Sequence, residues 1–150
     1  MYYWILRQQL KTTFAGLNNH VVAAVTGGAA PDIEHVCFGD HSLGGTRYTV
    51  AGMGAWYERL FTIFPNSSFV VTNIITGDFP QNTHVGIEFV ASLAAPDGKI
   101  HQVNVSEFIT IKWAKVTKIV RYEDTQKIAQ LLSLWSAAGV AAAAAKPIGD

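Results

Sequence analysis

The sequence predicts an α+β fold in which helices pack on one face of a curved, mixed but mainly antiparallel sheet. Three observations carry this. Apolar residues recur at helical spacing early in the chain and again after residue 125. Between about 68 and 123 the apolar period changes to two. The breaks inside that region, Gly77-Asp-Phe-Pro80, Ala95-Pro-Asp-Gly98 and Trp113-Ala114, are short and turn-like, so successive strands run antiparallel. Helices first and strands later is the order of an α+β domain.

The elements follow in chain order. Leu6, Leu10, Phe14 and Leu17 lie on one face of a helix over 2–17, with Arg7, Gln8 and Lys11 opposite. Gly16 weakens its end, and Asn18 or Asn19 is placed to cap a shorter helix over about 20–26. Gly27–Asp32 reads as a loop. A short strand over 35–39 ends at Asp40, Ser42–Gly45 turns, and Arg47–Val50 returns as another short strand. Met53, Trp56, Tyr57, Leu60, Phe61 and Phe64 form the clearest amphipathic helix, stopped by Pro65. Long strands follow at about 68–77, 84–94, 100–112 and 115–123. In the second of these, Val85, Ile87, Phe89, Ala91 and Leu93 alternate with polar or small residues. A last helix begins near 125, with Ile128, Leu131, Leu132 and Trp135 on one face. The Ala-rich tail over 137–150 either extends this helix or is loose.

At 150 residues the chain is expected to form one domain over 1–150, with its core within about 5–135. Eleven basic and eleven acidic residues cancel, which leaves no electrostatic footprint for nucleic acid or an anionic membrane. No segment reaches the apolar length of a membrane span. The apolar N-terminal stretch is too short for a signal peptide and no basic residue precedes it, so a cytoplasmic location is expected. The single cysteine, Cys37, lies in an apolar run and reads as a small buried hydrophobe, which fits a reducing compartment. No histidine has a partner at metal-ligand spacing, and no nucleotide-binding glycine loop or nucleophile elbow is present; neither metal nor cofactor is expected.

Several stretches together resemble the nuclear transport factor two-like fold, and within it the SnoaL-like polyketide-cyclase and ketosteroid-isomerase branch. They are Phe38-Gly-Asp-His41, Trp56-Tyr57 before Phe64-Pro-Asn66, Phe108-Ile-Thr-Ile111, Lys118-Ile-Val-Arg-Tyr-Glu-Asp124 and Leu131-Leu132. The resemblance spans about residues 5–135. It implies a cone-shaped, cystatin-like α+β barrel with a cavity between helices and sheet.

The resemblance also implies a site. Asp40 falls where the isomerases keep a proton-abstracting carboxylate. A carboxylate at a strand tip facing an apolar cavity loses hydration, and its pKa rises toward neutrality. Its other role is to cap the Ser42–Gly45 turn. His41 joins the pocket if the chain has already turned there. Asp124 falls where the cyclases place a general acid/base, and equally where a helix N-cap is favoured. Tyr122, two residues before it, shares its strand face. Asn104, Ser106 and Phe108 share a face expected to line the pocket, with Phe38, Trp56 and Tyr57 around it. Trp56 and Tyr57 are core residues first. Ser106 stands where the isomerases keep a protonated acid, and Thr13 and Phe14 stand near that acid's tyrosine partner. The oxyanion hole is therefore not carried over, and such donors are worth about 2.7–4 kcal/mol.

The expected function is a cofactor-independent general acid/base enzyme of cyclase, isomerase or hydratase type on a small apolar carbonyl compound. Asp40 and Asp124 are its expected catalytic acids. The alternative is a ligand-binding or assembly module of the same fold without turnover. Epoxide hydrolases of the limonene type need an Arg and an Asp two apart on one inner strand with a second Asp nearby. The strand Ile100–Phe108 has no arginine, and that chemistry is set aside. Val103, Val105, Ile109 and Ile111, with His101 and Glu107, are expected on the outer face, which is too apolar for water and predicts a homodimer.

Overall fold

The computed structural model describes residues 1–150. Helix α1 spans Tyr2–Asn18 and a single turn, α2, spans Ala23–Thr26. Strand β1 (Ala29–Cys37) and the short β2 (Gly45–Arg47) precede α3 (Val50–Ile63). Four strands follow: β3 (Ser68–Phe79), β4 (Asn82–Ala94), β5 (Ile100–Lys112) and β6 (Lys115–Glu123). Helix α4 (Thr125–Ala137) and a 3-10 turn (Ala141–Ala144) close the chain. The six strands form one sheet in the order β2-β1-β6-β5-β4-β3. Only the β1–β6 pairing is parallel. The sheet is curved and mixed, as predicted, but it is not closed into a barrel.

The helices lie against one side of this sheet. The core gathers Leu6, Phe14 and Leu17 of α1, Met53, Trp56, Tyr57 and Leu60 of α3, and one face each of β4, β5 and β6. Phe14 meets Phe89 edge to face at 5.0 Å, which ties α1 to the middle of β4. Thr49 caps α3 by accepting from the Gly52 N–H.

Several expectations shift. β1 begins at Ala29, inside the predicted loop, because a register irregularity between Ala29 and Glu34 lets Pro31 sit in the strand. β3 runs through Gly77 and Asp78, and the hairpin turns at Pro80–Gln81 instead. Asn18 does not cap α2. Its amide brackets Phe69, donating to the carbonyl at 2.9 Å and accepting from the N–H at 2.7 Å, so it clamps α1 to the start of β3. The tail neither extends α4 nor hangs loose. It folds back with Ala143 buried, and the Asp150 carboxylate accepts from the Tyr48 N–H and the Thr49 hydroxyl at the N-terminus of α3. No helix is long and apolar enough to cross a membrane.

The largest correction concerns β5. Val103, Val105, Glu107, Ile109 and Ile111 face the core, and Asn104, Ser106 and Phe108 face outward. Val85 lies opposite Ile109, and Phe89 opposite Val105, so the apolar face of β5 continues that of β4. Burying four branched apolar side chains outweighs any polar preference on the other face, and a one-residue change of phase moves every side chain across the sheet.

Candidate functional site

Residues paired across neighbouring strands share a sheet face, and on the concave face the register assembles a polar belt. Arg47 of β2 lies opposite His35 of β1. Cys37 of β1 lies beside Arg121 of β6, and Arg121 lies opposite Glu107 of β5. Glu123 follows two residues after Arg121 on the same face. His35 and Arg47 have no exposed surface, and Arg121 and Glu107 retain only 5% and 6%.

Arg121 bridges the two acids. Its Nη1 donates to Glu107 Oε1 at 3.2 Å, and its Nε donates to Glu123 Oε2 at 3.2 Å. A planar guanidinium with donors on two edges holds two carboxylates apart as a lysine cannot. Helix α3 roofs the group. The Arg121 guanidinium carbon lies 5.3 Å from the centre of the Trp56 ring and 5.4 Å from that of Phe89. At the other end of the belt, Arg47 Nε donates to His35 Nδ1 at 2.9 Å. Its remaining N–H groups reach the carbonyls of His35, Gly44, Gly45 and Ile148. Since His35 Nδ1 accepts, the imidazole proton sits on Nε2, 3.9 Å from Cys37 Sγ.

Burial sets the protonation states. It holds the His35 pKa well below 6.5, and the Arg47 and Arg121 charges push the same way, so the ring is neutral. Burial also raises the Glu107 carboxyl above its usual range, against the pull of Arg121. For Arg121 burial acts downward, yet Glu123 and Glu107 hold its pKa above the usual guanidinium value. Burial pushes the Cys37 thiol up to about 12, so it is protonated and not a nucleophile. Chemically, two carboxylates joined by one guanidinium are groups of the kind general acid/base chemistry uses.

The sequence-predicted residues are divided between four places. Trp56 and Tyr57 lie inside, over the belt, at 1% and 3% exposure. Phe38, Phe108 and Tyr122 lie together on the convex side, Tyr122 at 5.1 Å from Phe38 and 5.8 Å from Phe108, with Asn104 and Ser106 on the same outer face. These five were expected to line the interior; the strand phase places them outside. Asp40 and His41 border an open groove by α4. Asp124 is the N-cap of α4, accepting from the Lys127 N–H at 3.0 Å. The sequence reading does not select the belt residues His35, Arg47, Glu107, Arg121 and Glu123 as a site. Two signals in the sequence mark three of them: Glu107 interrupts an otherwise apolar alternation, and Arg121-x-Glu123 is a charged pair two apart on one strand face.

No family model matches the chain, and no curated protein matches it by sequence. Solved structures do match in shape. TerC, co-crystallised with polyporic acid, is 18% identical, with a TM-score of 0.68 over 83% of this chain and 95% of TerC. An NTF2-like protein of unknown function from Burkholderia pseudomallei is 12% identical, with a TM-score of 0.71 over 83% of this chain and 95% of its own. A protein with a ketosteroid isomerase-like fold from Catenulispora acidiphila, in complex with trimethylamine, is 18% identical, with a TM-score of 0.64 over 85% of this chain and 92% of its own. The likeness is one of fold, and the chain adopts the α+β architecture of nuclear transport factor two-like proteins.

Proposed function

We propose that the protein is a cofactor-independent general acid/base enzyme acting on a small, largely apolar carbonyl compound. Glu107 and Glu123 form its acid/base pair and Arg121 is their bridge. The carrying observation is the carboxylate–guanidinium–carboxylate group at the centre of the concave face. In this reading the roles expected of Asp40 and Asp124 pass to Glu107 and Glu123. One carboxylate removes a proton from the carbon next to the carbonyl. The protonated partner returns one at a second position, and Arg121 stabilises the negative charge between them. Neutral His35 and the buried Tyr57 phenol add donors that carry no charge of their own. The group also supplies what limonene-type epoxide opening requires, with glutamates for aspartates and the arginine on β6. Two proteins of this fold, crystallised with polyporic acid and with trimethylamine, support a small-ligand role. A lone buried thiol suits a cytoplasmic setting.

The test is proton exchange. A panel of small ketones and enones is incubated with the protein in deuterated buffer, and deuterium at the α-carbon is followed by NMR. Wild type is expected to accelerate exchange for at least one compound, and Glu107→Gln and Glu123→Gln are each expected to slow it about a hundredfold. Exchange that survives both substitutions removes the assignment.

A second reading rests on the packed interior. The main cavities all lie away from Glu107, Arg121 and Glu123. In this reading the belt is a structural ion network and the protein is a dimeric assembly module, joined through the convex face that carries Phe38, Phe108 and Tyr122. Replacing Glu107, Arg121 and Glu123 together by Leu, Met and Leu would then leave the fold intact or stabilise it by about 1–4 kcal/mol, with no compound turned over by wild type.

A further inference from the structure

The sheet ends in two edge strands, β2 and β3, and only one of them is closed. The folded-back tail covers β2, where Arg47 Nη1 donates to the Ile148 carbonyl and the Asp150 carboxylate accepts from the Tyr48 N–H. β3 forms the other edge over 12 residues. Helix α1 runs beside it in the opposite direction and closes its two ends. Asn18 takes the N–H and the carbonyl of Phe69, and the Tyr3 hydroxyl donates to the Asp78 carbonyl. These backbone groups therefore point away from β4. In an antiparallel ladder such an outward set recurs at every second residue. The bulge at Thr72 adds one residue to the count, so Val71, Ile74 and Thr76 continue the set between Phe69 and Asp78. No other element supplies those three with a backbone hydrogen bond.

An open groove of about 500 Å³ lies along this stretch, between α1 and Val71–Ile74. Its helix wall is Trp4, Arg7, Gln8 and Lys11. Trp4 is 66% exposed, an aromatic surface of the kind that interfaces bury. Arg7 and Lys11 make no ion pair, and no acid lines the groove. Unpaired backbone groups beside two unpaired cations are a template for an added strand that carries acids. The spacing agrees. Arg7 and Lys11 are one helical turn apart, about 6 Å along the axis. Side chains on one face of a strand repeat every two residues, about 6.6 Å. Two acids two apart thus meet both cations. The residues between them turn to the convex side, where Val70 and Ile75 are 62% and 64% exposed. The β3 edge of a second copy does not match, since Ser68–Gly77 contains no acid and the copy brings its own Arg7 and Lys11.

We propose that β3 accepts an extended segment of another protein, alternating acidic and apolar residues, as an added strand. Its main chain pairs with Val71, Ile74 and Thr76, and its acids meet Arg7 and Lys11. The surface is separate from the Glu107–Arg121–Glu123 group, and its test does not depend on the enzyme reading. Acetyl-Val-Glu-Val-Glu-Val-amide is titrated into the nitrogen-15-labelled full chain and followed by amide NMR, with acetyl-Val-Lys-Val-Lys-Val-amide for comparison. The expected result is saturable shifts confined to β3 and α1, hydrogen exchange slowed severalfold at Val71, Ile74 and Thr76, and no binding of the lysine peptide. Arg7→Gln together with Lys11→Gln is expected to weaken binding about fivefold at low salt, and spectra that match wild type elsewhere verify that this variant folds. Two further peptides separate strand addition from charge attraction, one N-methylated at both glutamates and one at the central valine. Methyl groups on the set of amides that faces β3 block pairing and those on the other set do not, so one peptide is expected to lose binding and the other to keep it. No saturable shift, shifts outside β3 and α1, equal binding of the lysine peptide, affinity unchanged in the double variant, or an equal effect of the two methylations overturns the proposal. Slowed exchange at Val71–Thr76 that appears with rising chain concentration alone, the mark of edge pairing between copies, overturns it as well.

Discussion

His35 shows how a single residue carries a consequence for the whole chain. It is fully buried, accepts from Arg47 and faces two guanidiniums, so the folded protein holds it neutral far below 6.5. The unfolded chain protonates it at about 6.5. Below that pH the unfolded state binds a proton that the folded state refuses, and stability falls as pH falls. Above it both states are neutral and the contribution is fully present. Urea midpoints measured from neutral pH down through 6.5 are expected to decline, and His35→Gln, which keeps a polar group without the titration, is expected to flatten that decline. Equal slopes in the two proteins would count against this account.

Among the elements, β6 decides the site. The two-residue turn at Trp113–Ala114 sets Lys112 opposite Lys115 and Ile111 opposite Val116. Continued unchanged, that register would face Glu107 with Val120 and send Arg121 to the outside. A bulge at Thr117 shifts the pairing by one, and from there Thr110 meets Lys118 and Glu107 meets Arg121. One extra residue thus creates the charged bridge. Helix α4 gives a simpler case. Asp124 accepts from the Lys127 N–H, so Asp124→Ala is expected to lower stability by about 1 kcal/mol and Asp124→Asn, an equally good cap, by little. Thermal melts of the two variants test the cap, and their proton-exchange rates test the carboxylate, since a catalytic acid would lose activity in both.

At the scale of the molecule, the convex face remains open. Phe108 is 59% exposed and Ile75 64%, and Phe38, Val70 and Tyr122 add to the same side. An apolar face of this kind on a chain with few charges is suited to a second copy of itself. Light scattering at micromolar concentration is expected to give twice the chain mass, and Phe108→Glu with Tyr122→Glu is expected to give the monomer with its circular dichroism unchanged. A wild-type monomer would contradict this. The sequence also predicts a dimer, but through Val103, Val105, Ile109 and Ile111, which lie in the core, whereas Phe108 and Tyr122 form the open face.

The sequence by itself determined the element types, their order and the helices' apolar stripes, because these depend on local periodicity and on turn chemistry such as Ala95-Pro-Asp-Gly98 and Pro65. It also encodes the β4–β5 phase through loop length. A loop of five residues between Ala94 and Ile100 aligns Val85 with Ile109, which puts Glu107 inside. What only the tertiary structure decided was the side on which Arg121 and Glu123 stand. A bulge leaves almost no mark on hydrophobic periodicity, since Thr117 is neither glycine nor proline, yet it reverses the facing of every residue after it. The parallel pairing of β1 with β6, which joins His35 and Cys37 to Arg121, was equally hidden. It links residues more than eighty positions apart through packing alone, and no local propensity encodes it.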